Sequence, residues 1–314
     1  MNNKLNTFGK IILVITTIII IILCICTFFK SDIKFLLTSR TIERKYGKIS
    51  TNNYFIEDNY SYKDIYNYEK AEVNSKQDII NSIYYLINSG ETYTEKYCGK
   101  NYTECYNDMI NISNDSEKLS ILNNYVHPYN SFESITFNFD NNIIEITIEH
   151  TYTEEQQNEI NTIVDTIINE NIKDNMTTKQ KIKAIHDYII NETNYDTYKT
   201  KNIKDTTYKS NTAYGVLIQH FGICSGYSDA MSIFLNKLNI INYKISNDQH
   251  IWNLVYLDGK WYHLDLTWDD PVSDKNITRD NYFLITTNNL KKLDDKVHYY
   301  KAEFFPETNE KEST

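Results

Sequence analysis

The sequence is short of basic residues, glycine and proline, and each shortage closes a class of function. Lys and Arg number 32 against 42 Asp and Glu in 314 residues, a formal net charge of −10. Binding to nucleic acid phosphates needs clustered cations, so this balance argues against a nucleic-acid partner. Eight Gly and three Pro exclude collagen-like and Pro/Gly-rich disordered chains. No internal repeat is visible. No grouping of His, Cys, Asp or Glu has the spacing of a zinc or calcium site, so neither a metal nor another cofactor is expected. What is present is a hydrophobic fraction of 41%, with 27 Tyr and 13 Phe, enough for one large globular domain or two modest ones.

One long apolar run stands out, Ile11 to Phe29 (IILVITTIIIIILCICTFF). About 19 residues at 1.5 Å rise reach roughly 28 Å, close to the hydrocarbon thickness of a bilayer. Phe28, Phe29 and Lys30 offer no small-residue cleavage site. Cys24 follows Leu23 and Cys26 follows Ile25, so neither sits behind the small residue of a lipoprotein signal. The run is read as an uncleaved single-pass anchor. Lys4 and Lys10 precede it, while Lys30, Lys34, Arg40, Arg44, Lys45 and Lys48 follow. Counted strictly, that favours a cytoplasmic C-terminal part; a short N-terminal tail with two Lys also fits a signal anchor that puts the large domain outside. The extracytoplasmic placement is the one adopted here. Cys98 and Cys105 would form a small disulfide loop outside the cell or two free thiols inside it.

The expected organisation is α+β throughout: a tail over 1–10, the anchor over 11–29, a polar spacer over 30–75, a small α+β region over 76–150, a catalytic domain over 151–300 and a C-terminal tail over 301–314. In the α+β region, DIINSIYYLIN and EKLSILNNYV predict helices, and SITFNF with NIIEITIEH predicts paired strands turning near Asp140–Asn142. Thr153 with Gln156 and Thr177 with Gln180 predict capping boxes. Ile160, Ile163, Val164, Ile167 and Ile168 follow the first as an apolar stripe, and Ile182, Ile185 and Ile189 follow the second. The polar stretch Thr193–Thr212 lacks a period and predicts either a functional rim or a surface insertion.

Tyr214 to Ile240 carries the first chemistry. Tyr227, Ala230, Met231, Phe234, Leu235 and Leu238 repeat with helical spacing, which starts a helix close to Cys224. Asn239 stands where a left-handed cap is expected. A cysteine at a helix N-terminus meets unpaired N–H groups and the positive dipole end, which favour negative charge on sulfur and on an attacked carbonyl oxygen. Gly222 and Gly226 allow close backbone approach there.

Its partners come from His250 to Trp268, two β-rich runs split by Asp258-Gly259, a strong hairpin signal. With those two residues as the loop, Leu257 faces Lys260, Trp252 faces Asp265 and His250 faces Thr267. His250 and Asp265 then share a sheet face as diagonal neighbours, with Cβ atoms on the order of 7 Å apart or less. A carboxylate there fixes the imidazole tautomer and leaves the other ring nitrogen for a thiol.

FGICSGYSDAMSIFLNKLNI followed by HIWNLVYLDGKWYHLDLTWDDP resembles the bacterial transglutaminase-like (transglutaminase core) superfamily, a circularly permuted relative of papain-like cysteine enzymes. The resemblance runs from about Lys181 to Pro271 and rests on Gly-x-Cys-x-Gly-Tyr, His-x-Trp-Asn, Asp-Gly-Lys-Trp and Asp-x-Thr-Trp-Asp-Asp-Pro in that order. It implies Cys224 as nucleophile, His250 as base and Asp265 as orienting carboxylate, with Trp252 and Trp268 packed around the site. A side-chain donor to the oxyanion is implied too; Gln219, five residues before Cys224, is the candidate. His263 is the rival base, His186 reads as structural, and Asp269 and Asp270 read as a turn rather than a cation site. The implied activity is acyl transfer on a peptide or side-chain amide, including cell-wall-linked ones, through a thioester. Hydrolysis is expected over crosslinking. The alternative is a transglutaminase-like fold kept as a non-catalytic binding or assembly module.

Overall fold

The computed structural model describes residues 71–270, 280–294 and 296–305, besides the isolated Thr16. The expected tail, the anchor and the spacer as far as residue 70 lie outside the described residues, as do residues 306–314. Among the described residues, no helix is long and apolar enough to cross a membrane.

The chain enters through β1 (Glu72–Val73), α1 (Lys76–Asn88), β2 (Tyr93–Cys98), α2 (Cys105–Ser113) and α3 (Ser116–Asn124). Strands β3 (Phe132–Asp140) and β4 (Ile143–His150) follow as the expected hairpin. Its loop residues Asn141 and Asn142 both have positive φ, 51° and 61°, the geometry that a two-residue turn between right-twisted strands demands. The four strands form one sheet in the order β1-β2-β4-β3. Val73, from the end of the expected spacer, is fully buried in it. Cys98 and Cys105 are joined in a disulfide, with Cα atoms 6.0 Å apart.

Helices α4 (Glu154–Asn171) and α5 (Thr178–Glu192) both start with the expected capping boxes. Two-residue strands β5 (Asn194–Tyr195) and β6 (Phe221–Gly222) pair in parallel, flanking the short helix α6 (Thr197–Lys201). Helix α7 (Cys224–Lys237) ends as expected: Asn239 has φ 56°, and the Ile240 N–H returns 2.8 Å to the Leu235 carbonyl, a Schellman closure. Then β7 (Asn242–Ser246), β8 (Ile251–Leu257) and β9 (Lys260–Leu264) form an antiparallel sheet with β8 in the centre. Short helices α8 (Leu266–Asp269) and α9 (Thr287–Leu293) follow, and a 3-10 turn over Ala302–Phe304 comes last among the described residues.

The central strand explains how the parts cohere. Its side chains alternate, so Trp252 and Leu254 join one core with Ile83, Ile87, Leu122 and Ile144 of the first 150 residues. Val255 and Leu257 join a second core with Ile160, Ile185, Met231 and Phe234. The β7-β8-β9 sheet therefore has apolar cover on both faces, and the core continues across residue 150. Phe305, placed in the tail from sequence, is also buried, stacking on Tyr125 at 5.8 Å.

A buried polar network ties α7 to the segment before α4. Lys244 Nζ contacts Asp229 Oδ1 at 2.6 Å, Tyr152 donates to Asp229 Oδ2 at 2.6 Å, and the Ala213 N–H donates to the Tyr152 oxygen. Removing one member of a buried ion pair strands the other charge. Asp229→Ala should cost about 3 kcal/mol in urea unfolding, and adding Lys244→Met should return part of it. A single-substitution loss below about 1 kcal/mol would contradict this.

Candidate active site

Cys224 is the first residue of α7, and the residue before it, Ile223, caps the helix without a side-chain acceptor. The N–H groups of the first turn therefore receive no side-chain cap from that position. The cysteine is placed by the polar stretch before it. The Ile223 N–H donates to the Ser210 carbonyl at 2.8 Å, the Ser210 hydroxyl donates to Asp196, and the Asp196 N–H donates to the Gly222 carbonyl. A Cβ on Gly226 would stand 2.3 Å from the Ser210 carbonyl oxygen, and one on Gly222 2.7 Å from the Tyr227 ring. Both positions need the missing side chain. Residues 193–212 are thus a brace for the cysteine, ordered by polar hydrogen bonds, which leave no hydrophobic period to read.

His250 lies one residue before β8, its N–H bonded to Asn247 Oδ1 at 2.9 Å. The hairpin register is the expected one from Leu257↔Lys260 to Asn253↔Leu264, and there it stops. The expected pairing of His250 with Thr267 does not form. Asp265 instead caps α8, its Oδ1 accepting the N–H groups of Thr267 at 2.9 Å and Trp268 at 3.3 Å. A capping aspartate turns the chain into a helix where alternation alone extends the strand. The two side chains still meet, because His250 Nε2 lies 2.5 Å from Asp265 Oδ2. That leaves Nδ1 as the ring nitrogen for Cys224, whose side chain is near enough to act on the imidazole.

Electrostatics follows from this chain of contacts. Burial works against a charged His250, but the Asp265 charge and hydrogen bond, followed by Cys224, raise it to about 10. Burial also works against a charged Asp265, yet His250 and His298 hold its carboxyl well below the usual carboxylate range. The pair is an imidazolium and a carboxylate at neutral pH.

His298 is the part that the sequence reading missed. Its Nε2 lies 2.8 Å from the same Asp265 Oδ2, and its Nδ1 lies 2.8 Å from Asp294 Oδ2. An Asp four residues before a His, in DDKVH, is the available signal, and it is too common to single out. Ligand-type atoms of His250, Asp265 and His298 come within 4.8 Å of one another, a spacing that two N–H···O bonds to one oxygen account for.

The remaining candidates separate clearly. Trp252 is buried and stacks on His250, ring centroids 5.6 Å apart. Trp268 stands edge-on to His250 at 6.4 Å and is 41% exposed, at the rim. Gln219 is half-buried, and its Oε1 accepts the Lys209 N–H at 2.7 Å. His263 accepts from Trp252 Nε1 on Nδ1 and faces Thr287 with Nε2; burial, helped by nearby His298 and Lys291, pushes it down to about 3, a neutral core histidine. His186 is buried between Asp187 and Asp269. Asp269 accepts the Tyr282 N–H and Asp270 accepts the Tyr227 hydroxyl. Tyr195 is a further neighbour: burial first, then the charges of Cys224 and Asp265, raise its phenol.

Residues 166–266 match the family model of the Transglutaminase-like superfamily, whose chemistry is generally cysteine-dependent acyl transfer. The matched stretch contains Cys224, His250 and Asp265 and ends before Trp268, Asp294 and His298. Among solved structures, the crystal structure of a TGase is similar at 16% identity with a TM-score of 0.32, over 57% of this chain and 50% of that one. The chain spans about half the length of that protein. No curated protein matches the chain.

The raised His250 has a stability signature. Its contribution is complete below the ordinary imidazole range near 6.5 and is lost as pH rises toward about 10. Thermal unfolding of the wild type should therefore weaken across that window. Asp265→Asn should lower the melting temperature at about pH 6 and flatten the slope above it; equal slopes in the two proteins would contradict the pairing.

Proposed function

We propose that this protein is a membrane-anchored, cysteine-dependent acyl-transfer enzyme acting on peptide or side-chain amides. The observation that supports it best is the imidazole of His250 bonded to Asp265 on Nε2, with Cys224 near the ring. The reactive form has the proton on His250 and the sulfur of Cys224 as the nucleophile. The sulfur attacks an amide carbonyl, and the first-turn N–H groups of α7 donate to the oxygen as it gains charge. Imidazolium His250 gives its proton to the departing amine, the C–N bond breaks, and a thioester remains on Cys224. Neutral His250 then takes a proton from the entering nucleophile, and the sulfur leaves as thiolate. Asp265 holds the ring in the required tautomer throughout.

Water as the entering nucleophile makes the enzyme a peptidase or amidase, and a Lys amine makes it a crosslinker. We favour hydrolysis of a protein or peptide substrate at the cell envelope, on the resemblance and on the anchor read over residues 11–29. The bonded Cys98–Cys105 pair supports an extracytoplasmic catalytic domain, because such bonds persist in oxidising compartments.

Iodoacetamide labelling of the full-length protein at about pH 6 tests the pair, since a free thiol is almost wholly protonated there. Rapid labelling at Cys224, slowed at least about tenfold by His250→Ala, is expected. A slow rate that does not depend on His250 would favour the non-catalytic binding module.

A further inference from the structure

We propose that His298 is a positioning residue for the same site, supplying a second positive charge that sets the proton affinity of the Cys224–His250 pair through Asp265. The inference rests on the catalytic reading above and extends it to a residue outside the matched family segment.

The geometry is specific. His298 is 4% exposed, and each ring nitrogen meets a carboxylate oxygen at 2.8 Å, Asp265 on one side and Asp294 on the other. A neutral imidazole has one N–H, so both contacts are full hydrogen bonds only when both nitrogens carry protons. Aromatic rings close around the His298 imidazole: Tyr282 stacks on it face to face at 5.1 Å, and Trp252 and Trp268 stand at steep angles to it at 5.0 and 5.1 Å. The Tyr282 face attracts a cation. With both His298 nitrogens protonated, charge alternates in sign from Asp294 through His298 and Asp265 to His250. Among the described residues, Tyr282 stacks on the His298 ring, and His263 feels its charge and is itself held neutral.

Two consequences follow for the site. With Thr267 and Trp268 on Oδ1 and two imidazoles on Oδ2, every oxygen of Asp265 is anchored, so the carboxylate cannot swing away from His250. The His298 ring also lies 5.1 Å from the His250 ring, close enough for its charge to be felt there. A nearby cation eases proton loss from each group around it, the thiol included.

The test is the pH profile of Cys224 alkylation in the full-length protein, read by peptide mass, with three variants. His298→Gln keeps volume and a donor but removes the charge; it should move the acid midpoint upward by on the order of half a pH unit, about threefold in rate below the midpoint. His298→Lys keeps the charge without the ring and should leave the midpoint near the wild-type value. A His298→Gln profile superimposed on wild type, while His250→Ala still abolishes rapid labelling, overturns this inference and leaves the catalytic reading intact. Labelling indifferent to His250→Ala overturns both. Should the His298 variants fail to fold, 15N shifts of the wild-type rings decide: protons on both His298 nitrogens at about pH 7 support the proposal, and one bare nitrogen overturns it.

Discussion

The structure around the site turns on one buried carboxylate. Asp265 is withdrawn from water, and an ionised acid in that position is tolerable only when donors surround it. It collects four, two backbone N–H groups of its own short helix and two imidazoles. Each donor fixes something: the N–H groups fix where β9 ends, His250 fixes the ring that faces the sulfur, and His298 ties in the segment after α9. The cost of leaving that charge unpaired is what makes the arrangement specific.

Bringing those donors together requires the sheet to be covered on both faces. His250 and Asp265 sit at the same end of the β8-β9 hairpin, and Cys224 arrives from α7, which packs on one face. Asn253 locks that packing by donating to the Ser228 carbonyl and the Ser232 hydroxyl of α7. On the opposite face, Trp252 joins the core built by the first 150 residues while its ring supports His250. The α+β region thus backs the wall on which the imidazole rests.

Much of this was legible in residue order because it depends on local rules. The two capping boxes, the Asn239 helix stop, the Asn141-Asn142 and Asp258-Gly259 turns and the register of β8 on β9 each follow from a few adjacent residues. The convergence of His250 with Asp265 was legible because the two-residue turn brings the ends of β8 and β9 together, although the strand pairing ends one residue before Asp265. What escaped depends on contacts distant in sequence or on polar bonding without a period. The end of β9 moved because Asp265 prefers to cap a helix. The brace formed by Asp196 and Ser210 has no hydrophobic signature, and His298 reaches Asp265 across 33 residues. Gln219 shows the limit of carrying a role by spacing, since its carbonyl oxygen is engaged with Lys209.

The most direct measurement of the central claim is thiolate absorbance near 240 nm, taken as the difference between wild type and Cys224→Ser across pH. A thiolate paired with the His250 imidazolium should give a difference signal that persists at about pH 6 and disappears there in His250→Ala, returning only near the ordinary thiol range of about 8.5. A signal that emerges only near that range in the wild type, unchanged by the residue at position 250, would contradict the pair and with it the proposed acyl transfer.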